Sequence, residues 1–129
     1  MSVVDFICEK YPNTDKKSME LVYKTFPEKF IVIQNGKIDL AAFYYTLDDN
    51  TFNKIKEGKL KITDLRNAER LIRSKGKNIH FGICASRGWK PIREGIREVI
   101  KRENPKTISW FKKDLSKLNI FTRRKLCLN

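Results

Sequence analysis

The sequence predicts a mixed α/β (α+β) fold, with N-terminal helices, an antiparallel hairpin and a strand-helix-strand crossover sharing one mixed sheet. Three observations carry that expectation. Apolar residues at helical spacing fill the chain as far as Phe26, before any strand pattern begins. Asn35-Gly36 then separates two runs rich in β-branched and aromatic residues. An amphipathic helical pattern from Pro91 to Glu103 later lies between two apolar runs, Asn78 to Ala85 and Thr107 to Phe111.

Taken in order, Val4, Ile7 and Cys8 recur at helical spacing, and the turn formers Tyr11-Pro-Asn-Thr-Asp15 end that first helix. A second helix runs from Lys17 to Phe26 on Met19, Leu21, Val22 and Phe26, and stops before Pro27, which disfavours an α conformation in the residue preceding it. Residues 29–34 and 37–46 form the hairpin, and Asn35-Gly36 predicts a type I′ turn because both residues tolerate positive φ. The polar stretch after Asp48-Asp49-Asn50 reads as irregular until a helix from Asp64 to Ser74, which presents Leu65, Ala68, Leu71 and Ile72 on one face. The last third reads as strand 78–85, helix 91–103, strand 107–111 and a final strand 118–123, turning near residues 112–114. A helical crossover makes its first two strands parallel. No repeat, low-complexity tract or linker interrupts the chain, so residues 1–129 are expected to form a single domain.

Composition narrows the partners. The 28 Lys and Arg against 15 Asp and Glu give a net charge of +13, which favours anionic partners: nucleic acid, an anionic cofactor or acidic protein. The same charge also serves solubility alone. Cys8, Cys84 and Cys127 are odd in number and widely spaced, which supports neither a disulfide framework nor a metal knuckle and fits a reducing compartment. Asp5 and Glu9 interrupt the first apolar run, so it does not read as a signal peptide, and a cytoplasmic protein is expected. The longest apolar run, Leu40 to Tyr45, falls far short of a membrane span.

The chemistry-bearing residues gather in the last third. A strand feeding a helix through the short turn Ser86-Arg-Gly-Trp-Lys90 leaves free backbone N–H groups at the helix start, where an anion can bind. On the helix, Ile92, Ile96 and Val99 form the inward stripe. Arg93, Arg97 and Lys101 stack four apart as a candidate anion-binding ridge, beside a row of Glu94, Glu98 and Arg102 that can exchange ion pairs with it. His80, the single histidine, lies in the strand before the turn as a candidate general base. Ser109, in the strand after the helix, is a candidate for touching substrate. No acidic partner makes a nucleophilic pair of Cys84 and His80, so covalent catalysis is not expected. At the end of the chain, Trp110, Phe111, Lys112, Lys113 and Lys117, then Phe121 with Arg123, Arg124 and Lys125, alternate rings and cations as single-stranded nucleic acid requires, although the rings equally suit a core.

This order of elements resembles the GNAT N-acetyltransferase superfamily from Lys29 onward. The wording Ile83-Cys-Ala-Ser-Arg-Gly-Trp89 with Thr107-Ile-Ser-Trp-Phe111 is most similar to small divergent members encoded by bacteriophages, a resemblance that would imply a host cytoplasm. The resemblance implies that a strand through Ile83, Cys84 and Ala85 bonds the pantetheine arm of acetyl-coenzyme A. It also implies that Arg87, Gly88, Trp89 and Lys90 cradle the pyrophosphate, and that acetyl passes to an amine on a small molecule or a protein. The chain departs from the family pattern at the turn, where Arg87 and Gly88 are adjacent, Lys90 replaces the first glycine and Ile92 the small residue. Tyr11, Tyr23, Tyr44 and Tyr45 all precede the position at which the family places its proton-donating tyrosine, and the segment after Phe111 is short. The alternative is a non-catalytic basic module on the same scaffold, gripping nucleic acid or acidic protein through Arg93, Arg97, Lys101 and the basic C-terminal segment.

Overall fold

The computed structural model describes residues 1–112 and 116–122. Helices α1 (Val3–Lys10) and α2 (Lys16–Thr25) precede strands β1 (Phe30–Asn35) and β2 (Lys37–Leu47). Helices α3 (Asp49–Lys56) and α4 (Ala68–Arg73) lead to β3 (Asn78–Ser86), α5 (Trp89–Glu103), β4 (Thr107–Phe111) and β5 (Leu118–Thr122). The strands hydrogen-bond in the order β1-β2-β3-β4-β5. β1 and β2 are antiparallel, β3 and β4 parallel, and β4 and β5 antiparallel. The fold is therefore the mixed α+β class that the sequence predicts, with the crossover through α5 making the parallel pair. The predicted strand end at Arg123, the turn residues beyond Lys112, and the basic residues Lys113, Arg124 and Lys125 lie outside the described residues, as does Cys127.

The chain divides into two compact units, one of residues 1–43 and 83–102, the other of residues 44–82 and 103 onward. In the first, Ser2 caps α1 by accepting from the Asp5 amide, and Asp5 in turn pairs with Lys16 at 2.9 Å. Val4, Phe6 and Ile7 on α1, Phe30 and Ile31 on β1, Ile38 and Leu40 to Phe43 on β2, Ala85 on β3 and Val99 on α5 supply its buried apolar residues. Gly95 lets α5 approach the hairpin, since a Cβ there would lie 3.3 Å from a Leu40 methyl. α2 buries none of its residues, and Leu21 stands 65 % exposed.

The hairpin forms, but not on a type I′ turn. Asn35 pairs with Lys37 across Gly36 alone, which takes φ +76° while Asn35 stays at negative φ. The register then shifts between Ile33 and Gln34, leaving Asp39 as the extra residue of a bulge. The bulge absorbs the mismatch that a one-residue turn imposes on two facing strands. Asn35 and Asp39 are joined by a side-chain hydrogen bond of 3.3 Å.

In the second unit, Leu47, Phe52, Ile55, Leu60 and Leu71 form a buried cluster with Tyr45, Ile62, Phe111 and Leu118 packed against it. The stretch read as irregular after Asp48 contains α3. Asp48 caps it by accepting from the Thr51 amide at 2.7 Å, and Gly58, at φ +74°, closes it in a Schellman motif: Lys59 N–H donates to Lys54 C=O and Gly58 N–H to Ile55 C=O. The helix predicted over residues 64–74 shortens to a 3-10 turn at Leu65–Asn67 followed by α4. Asp64 causes this by accepting from the Arg66 amide, which holds its own backbone in a turn. α5 begins two residues earlier than predicted, because Pro91 in the first turn lacks only an amide that no carbonyl of the helix would accept.

Candidate functional site

The strand-turn-helix segment of the first unit sets the geometry of the predicted cofactor residues. The β3–β4 register runs from Asn78↔Thr107 to Phe81↔Trp110, and β3 continues to Ser86. Along that continuation Ile83 and Cys84 are half-buried and Ala85 is buried. The Tyr11 hydroxyl lies on the backbone of Cys84, donating to its carbonyl at 3.0 Å and accepting from its amide at 3.4 Å. Burial raises the pKa of that hydroxyl, which therefore stays protonated. Burial also pushes the Cys84 thiol up to about 11, so it carries no thiolate near neutrality.

Beyond Ser86 the chain turns on Gly88, at φ +128°, with open space where a Cβ would project. The Ser86 hydroxyl donates to the Gly88 carbonyl at 2.7 Å. Gly88 stands immediately before α5 and has no side chain to accept from the first-turn amides, the groups to which an anion binds at a helix start. Lys90 is exposed beside them, and so is the Trp89 ring.

Arg87 has other work. Its amide donates to Asp39 C=O at 2.8 Å and its Nε to Ile38 C=O at 3.0 Å, while the guanidinium lies 5.2 Å from the Phe6 ring centroid. The residue with the most suitable charge for a pyrophosphate thus fastens the turn to the hairpin bulge and to α1. No local pattern revealed this, because the acceptors are the carbonyls of β2.

On α5, Arg93, Arg97 and Lys101 are exposed, and among the described residues none is held in an ion pair. Among the described residues no acid of the neighbouring row pairs with them. Glu98 pairs with Arg102 at 3.2 Å, and Arg102 also donates to Phe30 C=O at 2.9 Å.

In the second unit the parallel register places His80 opposite Ser109, with Nδ1 2.8 Å from Oγ. Both are closed off from solvent, at 1 % and 0 % exposure, and the Phe111 ring meets the imidazole edge to face at 5.5 Å. Burial drives the His80 pKa down to about 4, so the imidazole is neutral at pH 7. Chemically this is a neutral histidine-serine hydrogen bond inside the sheet. Trp110 stacks on Phe121 with centroids 5.0 Å apart, so two of the aromatic rings in the C-terminal pattern are already engaged with each other.

A groove of about 620 Å³ in the same unit lies among Asp48, Asp49, Lys75, Lys77 and residues 104–106. Its charges are mostly spoken for. Asp48 accepts from Thr51 and Ser74, Asp49 from Asn78 and Lys106, and Lys77 donates to Glu103 C=O. The backbone bond from Thr51 is the largest of the effects that hold the Asp48 carboxyl below its ordinary pKa. Among the described residues no group of three or more His, Cys, Asp and Glu side chains could hold a metal ion, and no helix is long and apolar enough to cross a membrane.

No protein-family model matches the chain, and no curated protein is significantly similar to it. The functional reading therefore rests on the site itself. Sequence reasoning missed Tyr11, for which no signal existed: it sits in a turn 73 positions from the backbone it bonds.

Proposed function

We propose that this chain is a GNAT-like domain that binds acetyl-coenzyme A at the β3–α5 turn and transfers the acetyl group to an amine. One observation carries the reading. β3 runs past its last pair with β4 and passes through the open, positive-φ Gly88, which has no side chain to act as a cap, directly into the start of a 15-residue helix. The turn amides and the Lys90 ammonium would hold the pyrophosphate, and the backbone of Cys84 would bond the pantetheine arm. The bound thioester supplies an activated acyl group. Arg87 contributes position rather than charge, because its guanidinium is engaged by Ile38 and Phe6. Tyr11 stands where the arm would bond, so its hydroxyl competes with the cofactor for Cys84.

Calorimetry with acetyl-coenzyme A tests the proposal. Lys90→Ala is expected to weaken binding about ten-fold, as loss of one charge-assisted contact does. Tyr11→Phe is expected to tighten it several-fold by freeing the Cys84 backbone, and Arg87→Ala to lower thermal stability more than affinity. No heat of binding at millimolar cofactor rejects the proposal.

A second reading, the non-catalytic basic module, is favoured by Arg93, Arg97 and Lys101 of α5, which are exposed and make no ion pair among the described residues.

A further inference from the structure

We infer that the outer row of α5 is a binding surface for single-stranded nucleic acid, with Trp89 as the stacking platform and Arg93, Arg97 and Lys101 following the phosphates. The inference rests on the second reading and stands whether or not acetyl-coenzyme A binds at the turn. The four residues are spaced four apart, so successive side chains lie about 6 Å apart along the helix axis and step about 40° around it, tracing a shallow spiral. That is a spacing an extended sugar-phosphate backbone can follow, one cation per phosphate.

Arg93, Arg97 and Lys101 make no ion pair among the described residues, and Glu98 is paired with Arg102 instead. The Phe30 carbonyl holds Arg102 back against the hairpin. Trp89 heads the same row with 66 % of its surface exposed and no ring contact among the described residues. Its counterpart Trp110 is already stacked on Phe121, so Trp89 is the indole free to receive a base. An indole at the head of a cation row distinguishes the occupant. Duplex nucleic acid and acidic protein would satisfy the cations and leave the ring idle, whereas an unpaired base presents a face to it.

Fluorescence anisotropy of a labelled oligothymidylate, titrated with the full chain over a range of salt, is the test. Trp89→Ala should weaken binding roughly ten-fold or more without changing the salt slope. The combined Arg93→Ala, Arg97→Ala and Lys101→Ala chain should reduce the slope of log K against log salt by about two, as expected for three lost phosphate contacts to a single strand. A control chain lacking Lys17, Lys24 and Lys37, which removes equal charge elsewhere, should lose clearly less of the slope. Circular dichroism checks that each chain folds. The inference is overturned if Trp89→Ala is neutral, if the control chain loses the same slope, or if duplex DNA or polyglutamate competes as well as the single strand.

Discussion

His80 shows how far one residue's chemistry depends on its neighbours. Read from the chain it is a lone imidazole in an alternating strand, a candidate base. In the fold it is sealed between Ser109 and Phe111, and its pKa falls to about 4 because burial penalises the charged ring. The sign of the consequence follows from linkage. Below the ordinary histidine pKa of about 6.5 the unfolded chain binds a proton that the folded chain refuses, so stability falls as pH drops from about 6.5 to 4. The loss amounts to roughly 2–4 kcal/mol over that window. Denaturant unfolding across the window should show that slope, and His80→Gln should flatten it. If the slope persists in the variant, the imidazole is not the group responsible. The hydroxyl of Tyr11 and the guanidinium of Arg87 follow the same pattern: each finds its partner on a backbone carbonyl far away in sequence.

Among the elements, α3 is the instructive case. The polar stretch after Asp48-Asp49-Asn50 conceals its helix because the residues that favour helix N-caps also favour turns, both through short side chains that accept from nearby amides. Here Asp48 accepts from the Thr51 amide and hydroxyl, and Gly58 closes the far end. The pair Asp48 and Gly58, ten positions apart around Phe52 and Ile55, was the legible signature of this helix. Asp48→Ala should destabilise the second unit by about 1–2 kcal/mol, more than an exposed cap would, because Ser74 also loses its acceptor. Chemical denaturation measures it, and a change below a few tenths of a kcal/mol would show that the cap is dispensable. For β1 and β2 the sequence placed the hairpin and its reversal but not the turn type: the chain turns on Gly36 alone, and the bulge at Asp39 decides the register. α5 was legible almost to its ends, since its inward stripe and its polar rows share one helical period. What no period could specify was which arginine Glu98 would take.

For the whole molecule, a surplus of 13 positive charges on 129 residues means that the folded state repels itself. Moderate salt screens that repulsion more than it weakens the exposed ion pairs, each of which contributes little. The thermal midpoint should therefore rise by a few degrees between low and moderate salt. A midpoint that falls would show that ion pairs such as Lys16 with Asp5 and Lys106 with Asp49 dominate the surface electrostatics.

The sequence by itself determined the class of fold, the order of most elements and the parallel crossover, because hydrophobic periodicity and turn chemistry are local properties written within a few residues. It also marked β3, the Gly88 turn and α5 as the segment where an anion could bind. Only the tertiary structure decided what the charged and polar groups there do. It gave Arg87 to the hairpin, Tyr11 to the backbone of Cys84 and Ser109 to His80, and it left Trp89, Arg93, Arg97 and Lys101 exposed, with no ion pair or ring contact among the described residues. The reason is physical: a hydrogen bond or an ion pair depends on distances of about 3 Å between groups tens of residues apart, and such distances exist only once the strands have paired.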